Sequence, residues 1–354
     1  MPSSDRRLPL TAAQRGIWLG QQLDPASPIY NTGECLELAG PLDDAAFEGA
    51  LRQAVAEAEA LRVRFLPGAD GPEQAPADDD WPLHRLDFGG LPAPRAAAED
   101  WMRSVLAQPA DLERGPLFVQ ALIRLAPDRH LWYQQIHHAV TDGFGCSLIQ
   151  RRVASLYGAA VAGKPAGPGF GALRAVVEED LAYQSSPACE RDRAFWRERC
   201  ADLPAPASLI SGDVPAPALG LRDAVDLDPA LIAAIQDAAR HAGAAWPDVL
   251  AGAFAAYLRL ATGAAEAVFG LPMMGRMGSA ALRVPCMAMN IIPLRVAVGA
   301  GDSLAALAAR VAAEVRACRP HARYRYEQLR RDLGLVGGGR RLFGPVINVL
   351  PFAE

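Results

Sequence analysis

Hydrophobic and polar positions along the chain change period repeatedly between two and three-to-four, the signature of strands and helices in alternation. Residues 42–58 carry Phe47, Leu51 and Val55 on one helical face, with Asp43 near the start. A short strand is predicted over 61–66, followed by a Pro-, Gly- and Asp-rich loop over 67–80. The runs LFVQALIRL and HLWYQQIHH, separated by Ala-Pro-Asp-Arg, read as a hairpin. The second run ends at AVTDGFG, after which Cys146, Ile149, Val153 and Leu156 return to helical spacing. Gly and Pro accumulate over 163–171 and 203–220 around a polar helical stretch holding Tyr183, Phe195 and Trp196. Beyond it, helices are predicted over 228–241 and 247–260, strands over 267–271, 291–298 and 346–350, and a helix capped by Asp302 that carries Leu304, Leu307, Val311 and Val315. The alternation predicts an α/β (α+β) class. The crossover region divides the chain into a lobe over 1–171 and a second over 172–354.

Length and composition narrow the class of function. A chain of 354 residues, half of it apolar, suits one large or two medium domains with substantial cores. The net charge of −5 argues against a whole-surface attraction to nucleic acid or anionic membrane. The six cysteines, Cys35, Cys146, Cys189, Cys200, Cys286 and Cys318, form no CxxC pair. Their spacing supports neither a zinc site nor a dense disulfide framework, and isolated thiols fit a reducing compartment. The charged N-terminus MPSSDRRLPL has no apolar stretch behind it, and the most apolar helix contains Asp248 and Arg259. A cytoplasmic location is the resulting expectation.

The sharpest chemical feature is HHAVTDG, His137 to Gly143, where a strand ends and a loop begins. An imidazole there can take a proton near neutral pH. Asp142 can orient the loop by pairing with a cation, and Gly143 offers an N–H at a helix start to developing negative charge. Base, organiser and oxyanion donor are the parts of an acyl-transfer site. A polar rim is the competing structural reading of a histidine pair. A metal reading would use His138 and Asp142, but no third ligand stands at a suitable spacing, and no GxSxG-like elbow supports serine hydrolysis.

Several stretches extend this reading. The HHxxxDG pattern resembles the signature of the condensation domains of nonribosomal peptide synthetases, whose superfamily includes chloramphenicol and carnitine acyltransferases. LPLTAAQRGIWLGQQLDP (8–25) is similar to the family's opening motif, and EALRVRF (59–65) to its RHExLRTxF, with the leading Arg-His replaced. VPCMAMNIIPLR (284–295) resembles VGxFVNTxxxR, with Cys286 and Met287 departing and Asn290 and Arg295 retained. HARYRYEQL (321–329) is similar to HQDYPFE, and LFGPVINVLPF (342–352) to the strand with an active-site asparagine.

The resemblance implies two chloramphenicol-acetyltransferase-like lobes in a V, with the second lobe lacking its last strands. It implies an enzyme that moves a carrier-bound acyl thioester onto the amine of a downstream carrier-bound aminoacyl group. His138 would be catalytic and His137 supporting. Asp142 would be structural and paired with Arg62, Gly143 would sit at the tunnel floor, Asn348 would face His138, and Arg276 and Asn290 would line the tunnel. No cofactor is implied in the domain itself, because substrates arrive on phosphopantetheine arms. Its partners would be upstream and downstream peptidyl carrier proteins and a downstream adenylation domain. The arginines at 316, 319, 323, 325, 330 and 331 form a candidate carrier-docking patch. The segment 8–24 looks most like siderophore-type synthetases. An ester-forming O-acyltransferase and a non-catalytic carrier-docking platform are the alternatives.

Overall fold

The computed structural model describes residues 7–77, 80–204, 206, 209, 220–335 and 341–350. Its centre is a four-stranded sheet in the order β2-β7-β6-β5, formed by β2 (Asn31–Ala39), β5 (Leu83–Asp87), β6 (Phe118–Ala126) and β7 (Arg129–His137). The β6–β7 hairpin forms as its apolar runs predict, and β5 joins the far side of β6 in parallel. Every residue of β7 from His130 to His137 is buried, as expected of an inner strand covered on both faces. The edge strand β2 alternates instead, with Cys35, Glu37 and Ala39 exposed. A smaller sheet, β1-β4-β3, joins β1 (Leu8–Pro9), β3 (Val63–Leu66) and β4 (Glu73–Pro76).

Helices pack on the central sheet through the predicted stripes. After α1 (Ala12–Leu23), α2 (Asp44–Glu57) begins where the Asp43 carboxylate accepts the Ala46 N–H at 2.9 Å, and it buries Phe47, Leu51 and Val55. On the opposite sheet face lies α3 (Pro94–Leu106), while α4 (Gly143–Val161) buries Cys146, Ile149, Val153 and Leu156 beside α2. The core under α2 and α4 also takes Leu173, Val176 and Val177 from α5 (Leu173–Gln184), and Val284 and Cys286 from much later in the chain.

A second core is built around Trp196 and Cys200 of α6 (Pro187–Cys200) and the pair β8 (Glu266–Met273) and β9 (Asn290–Ala297). It is covered by α8 (Trp246–Thr262), α9 (Leu304–Cys318) and α10 (Tyr326–Asp332), with α7 (Pro229–Ala242) on the outside. Two expectations are corrected here. Ser303, not Asp302, caps α9; Asp302 instead accepts the Gly299 N–H at 2.6 Å and pairs with Arg310 at 2.7 Å, closing the preceding turn. The strand predicted over 346–350 is reduced to one parallel bridge, Val346 to Gly270 of β8. Gly270 is required there, since a Cβ would lie 2.7 Å from the Phe343 ring.

Asn290 is buried at the start of β9 and does not line a channel. Its amide donates to the carbonyls of Ala322 and Tyr324, both at 2.8 Å, and accepts the Tyr326 N–H at 3.2 Å. It therefore clamps β9 to the loop entering α10. Asn290→Ala should lower unfolding free energy by about 2 kcal/mol or more, because buried backbone groups lose their partners. Chemical denaturation measures this, and an unchanged midpoint would contradict the clamp.

Candidate active site

The end of β7 delivers two adjacent histidines to different surroundings, because successive strand side chains alternate between faces. His137 points into a closed polar nest and is 2% exposed. Its Nδ1 accepts the Ala139 N–H at 3.1 Å, so Nε2 carries the proton and donates to Gln21 Oε1 at 3.1 Å. Gln21, from α1, also donates to the carbonyls of Asp24, Pro25 and Ser27. With both nitrogens occupied, His137 holds the strand end in place. Burial, then the neighbouring His138, pushes its pKa down to about 4.

His138 follows the strand, its N–H donating to the Tyr30 carbonyl at 2.8 Å. Its ring stays partly exposed. Nδ1 lies 3.1 Å from the Thr141 carbonyl, which can only accept, so Nδ1 is protonated. Nε2 is left with its lone pair and no hydrogen-bond partner among the described residues. Burial lowers the His138 pKa, with the Thr141 carbonyl and Asp142 acting in the opposite direction. The ring is therefore neutral at pH 7 and able to accept a proton at Nε2.

Asp142 closes the turn and starts α4, accepting the Gly145 N–H on Oδ1 at 2.9 Å. The same oxygen meets Arg276 Nη2 at 2.7 Å, while Oδ2 accepts the N–H groups of Ala288 and Met289 at 3.0 and 2.9 Å. Both charged side chains are essentially inaccessible, at 2% and 0% exposure. Arg276 also donates to the carbonyls of Val284, at 2.8 Å, Ala281 and Cys286, and lies over the Phe144 ring. Asp142 thus ties the histidine loop to residues 276–289 of the other half of the chain. Gly145 permits the approach: a Cβ there would sit 2.0 Å from Thr141 Oγ1 and 3.3 Å from the Pro285 carbonyl carbon.

These contacts revise several expected roles. The ion-pair partner of Asp142 is Arg276, not Arg62. Arg62 enters β3 in the smaller sheet, whereas the 276–289 loop crosses the start of α4. Arg276 accordingly lines no open channel, since its guanidinium is enclosed by one carboxylate and three carbonyls. Gly143 is the first residue of α4, partly exposed beside the histidine loop. Asn348 is exposed, two residues beyond the Val346 bridge, and none of the described hydrogen bonds joins it to His138. Sequence reasoning missed Gln21 and Thr141, although both fall inside quoted motifs. It also missed the two backbone donors at 288 and 289, for which side-chain identity carries no signal.

The chain that holds this imidazole and its buried ion pair matches a known family over almost its whole length. The condensation-domain model aligns with residues 4–352. The chain belongs to the condensation-domain family. It is 50% identical over 354 residues to an isonitrile lipopeptide synthase of Streptomyces coeruleorubidus, covering 99% of this chain and 24% of that protein. It is 46% identical to a dimodular nonribosomal peptide synthase of Bacillus subtilis (strain 168), covering 99% and 15%. The chain thus spans at most about a quarter of either of these curated relatives. Among solved structures, the starter condensation domain of rhizomide synthetase, bound to C8-CoA and Leu-SNAC, superposes with a TM-score of 0.92 at 38% identity, covering 98% of this chain and 79% of that one. The first condensation domain of the calcium-dependent antibiotic synthetase superposes with a TM-score of 0.92 at 36% identity, covering 99% and 82%. Condensation domains are acyltransferases, and the mixed α/β fold is theirs. No helix among the described residues is long and apolar enough to cross a membrane.

The site geometry makes two predictions about stability. Asp142→Ala strands Arg276 in the interior and should cost roughly 3–5 kcal/mol, the usual penalty for breaking a buried pair; a wild-type urea midpoint would contradict this. His137 sets the pH response. An unfolded imidazole titrates near 6.5 and the folded one near 4, so the unfolded chain binds the proton first as pH falls. Its contribution is complete above about pH 6.5 and is lost toward pH 4, by up to about 3 kcal/mol. Urea midpoints across that window should fall more steeply for the wild type than for His137→Gln. Parallel slopes would exclude His137 as the cause.

Proposed function

We propose that this condensation domain joins a carrier-bound acyl thioester to the amine of a carrier-bound aminoacyl group, with His138 as the catalytic residue. The observation that carries the reading is the free Nε2 of a neutral, partly exposed His138, whose other nitrogen is fixed by the Thr141 carbonyl. In the reaction the amine nitrogen attacks the thioester carbonyl, a C–N bond forms and the C–S bond breaks. The amine proton passes through Nε2 to the departing thiolate. Gly143, at the start of α4, presents backbone N–H to the oxyanion.

General-base assistance is typically worth about 10²- to 10⁴-fold, whereas alignment of two reactants reaches effective molarities of roughly 10⁵–10⁸ M. Holding the amine against the thioester is therefore the larger contribution. The Asp142–Arg276 pair supports it by fixing the His138 loop between the lobes at 1–171 and 172–354. The substrates arrive on phosphopantetheine arms, and the domain itself binds no cofactor. The starter condensation domain of rhizomide synthetase holds C8-CoA and Leu-SNAC, an acyl donor and an aminoacyl acceptor. A donor and an acceptor of those classes suit this chain.

Carrier docking has a candidate surface in the cleft between α1, α5 and α10, lined by Arg15, Arg323, Arg325 and Arg331. Arg323 already pairs with Glu179 at 3.1 Å and Arg325 donates to the Met289 carbonyl at 2.7 Å. Arg316, Arg319, Arg323 and Arg331 are the exposed members of the patch. Peptidyl carriers on either side, and an adenylation domain downstream, complete the proposed assembly.

The test is condensation between an acyl and an aminoacyl N-acetylcysteamine thioester. His138→Ala should lower the rate about 10²- to 10⁴-fold while the protein remains folded. A variant as fast as wild type would overturn the assignment.

A further inference from the structure

The loop between β8 and β9 supplies Arg276 and its three carbonyl partners, and its regular structure is the 3₁₀ turn Ala280–Arg283. Irregular backbone of this kind depends on side chains from elsewhere to fix it. Two such side chains grip the loop, one near each end. Glu179 of α5 accepts the Ser279 hydroxyl at 3.0 Å and the Ala280 N–H at 2.8 Å, both on Oε2. The next residue, Ala281, turns its carbonyl to Arg276. At the other end Arg325 Nη1 donates to the Met289 carbonyl at 2.7 Å, and the Met289 N–H donates in turn to Asp142 Oδ2 at 2.9 Å. One grip thus sits beside a partner of Arg276, and the other holds a partner of Asp142.

Arg323 steadies the first grip. Its Nη1 meets Glu179 Oε1 at 3.1 Å, its Nη2 donates to the Glu179 carbonyl at 3.3 Å, and its guanidinium lies 4.4 Å from the centre of the Tyr183 ring. The Arg323 and Glu179 side chains are 40% and 28% exposed, so the ion pair alone contributes little. Its effect is to orient the carboxylate so that Oε2 faces the loop. The Arg325 side chain is 12% exposed, and its bond to Met289 is better shielded. Counted from His321, Arg323 and Arg325 occupy the Asp and Pro positions of the HQDYPFE pattern. An aspartate would repel Glu179 and a proline has no side-chain donor, so the support of Glu179 and the Met289 bond both come from this chain's departures.

We propose that Glu179 and Arg325 are positioning residues for acyl transfer, holding the 276–289 loop so that the Asp142–Arg276 pair keeps His138 in its reactive place. They act through that pair, and none of the described hydrogen bonds joins either of them to the imidazole. A displacement of about 1 Å at a reacting group can cost about a hundredfold in rate, so a loop released at one end is enough to slow turnover. The inference rests on His138 being the acyl-transfer centre.

Condensation between acyl and aminoacyl N-acetylcysteamine thioesters isolates the effect from carrier docking, since neither substrate brings a carrier. In folded protein, Glu179→Ala and Arg325→Leu should each lower kcat about tenfold to a hundredfold and leave KM for either thioester within about threefold of wild type. Glu179→Gln keeps an oxygen for Ser279 and Ala280 and should recover kcat to within about threefold. In a His138→Ala background the same substitutions should change the residual rate by less than about threefold, because they act through the missing ring. Wild-type kcat in both folded variants would overturn the inference. So would the full loss persisting in the His138→Ala background, a Glu179→Gln variant as slow as Glu179→Ala, or a loss confined to KM. A His138→Ala protein as fast as wild type would instead remove the acyl-transfer reading, and this inference with it.

Discussion

A buried ion pair between Asp142 and Arg276 is the constraint on which the site depends. Neither charge reaches water, so each is tolerable only because the other neutralises it and because three backbone carbonyls and three N–H groups add further hydrogen bonds. Asp142 reaches Arg276, Ala288 and Met289 across 134, 146 and 147 residues of sequence. The pair therefore converts a local turn after β7 into a junction between two cores. Removing one member would uncouple the histidine loop from the 276–289 loop even if each core survived.

Once that junction is fixed, the two histidines divide the work by geometry. The same alternation that sends His137 into the Gln21 nest turns His138 toward the opening. The Thr141 carbonyl then selects the tautomer, because a carbonyl can only accept. Desolvation keeps the ring neutral, and Asp142 acts on it through space and through the turn, without a bond to either nitrogen. This differs from a serine-hydrolase arrangement, in which a carboxylate touches the base directly. An amine already carries its own nucleophilic lone pair, so the base has less activation to supply.

Much of this was legible in the chain itself. The hairpin, the α2 stripe with its Asp43 cap and the α4 stripe follow from local periodicity, and all three formed. The histidine motif and its neighbours pointed to the family before any geometry was known. What failed was pairing over distance. Nothing local distinguishes Arg62 from Arg276 as the partner of Asp142, since the choice depends on which loop crosses α4. Asn290 looked like a channel residue, but its amide meets backbone atoms more than thirty residues later. The cap of α9 moved by one residue because Asp302 had a competing partner in Arg310. The placing of Glu34 and Gln120 on either side of Gln134 arises from strand register, which no single segment encodes.

Nitrogen NMR of the His138 ring across pH reads its protonation state without an intermediary. The account predicts the neutral Nδ1–H tautomer at pH 7, persisting below the usual imidazole midpoint near 6.5, with Nε2 unprotonated. A neutral ring protonated on Nε2, or a midpoint at or above 6.5, would contradict it.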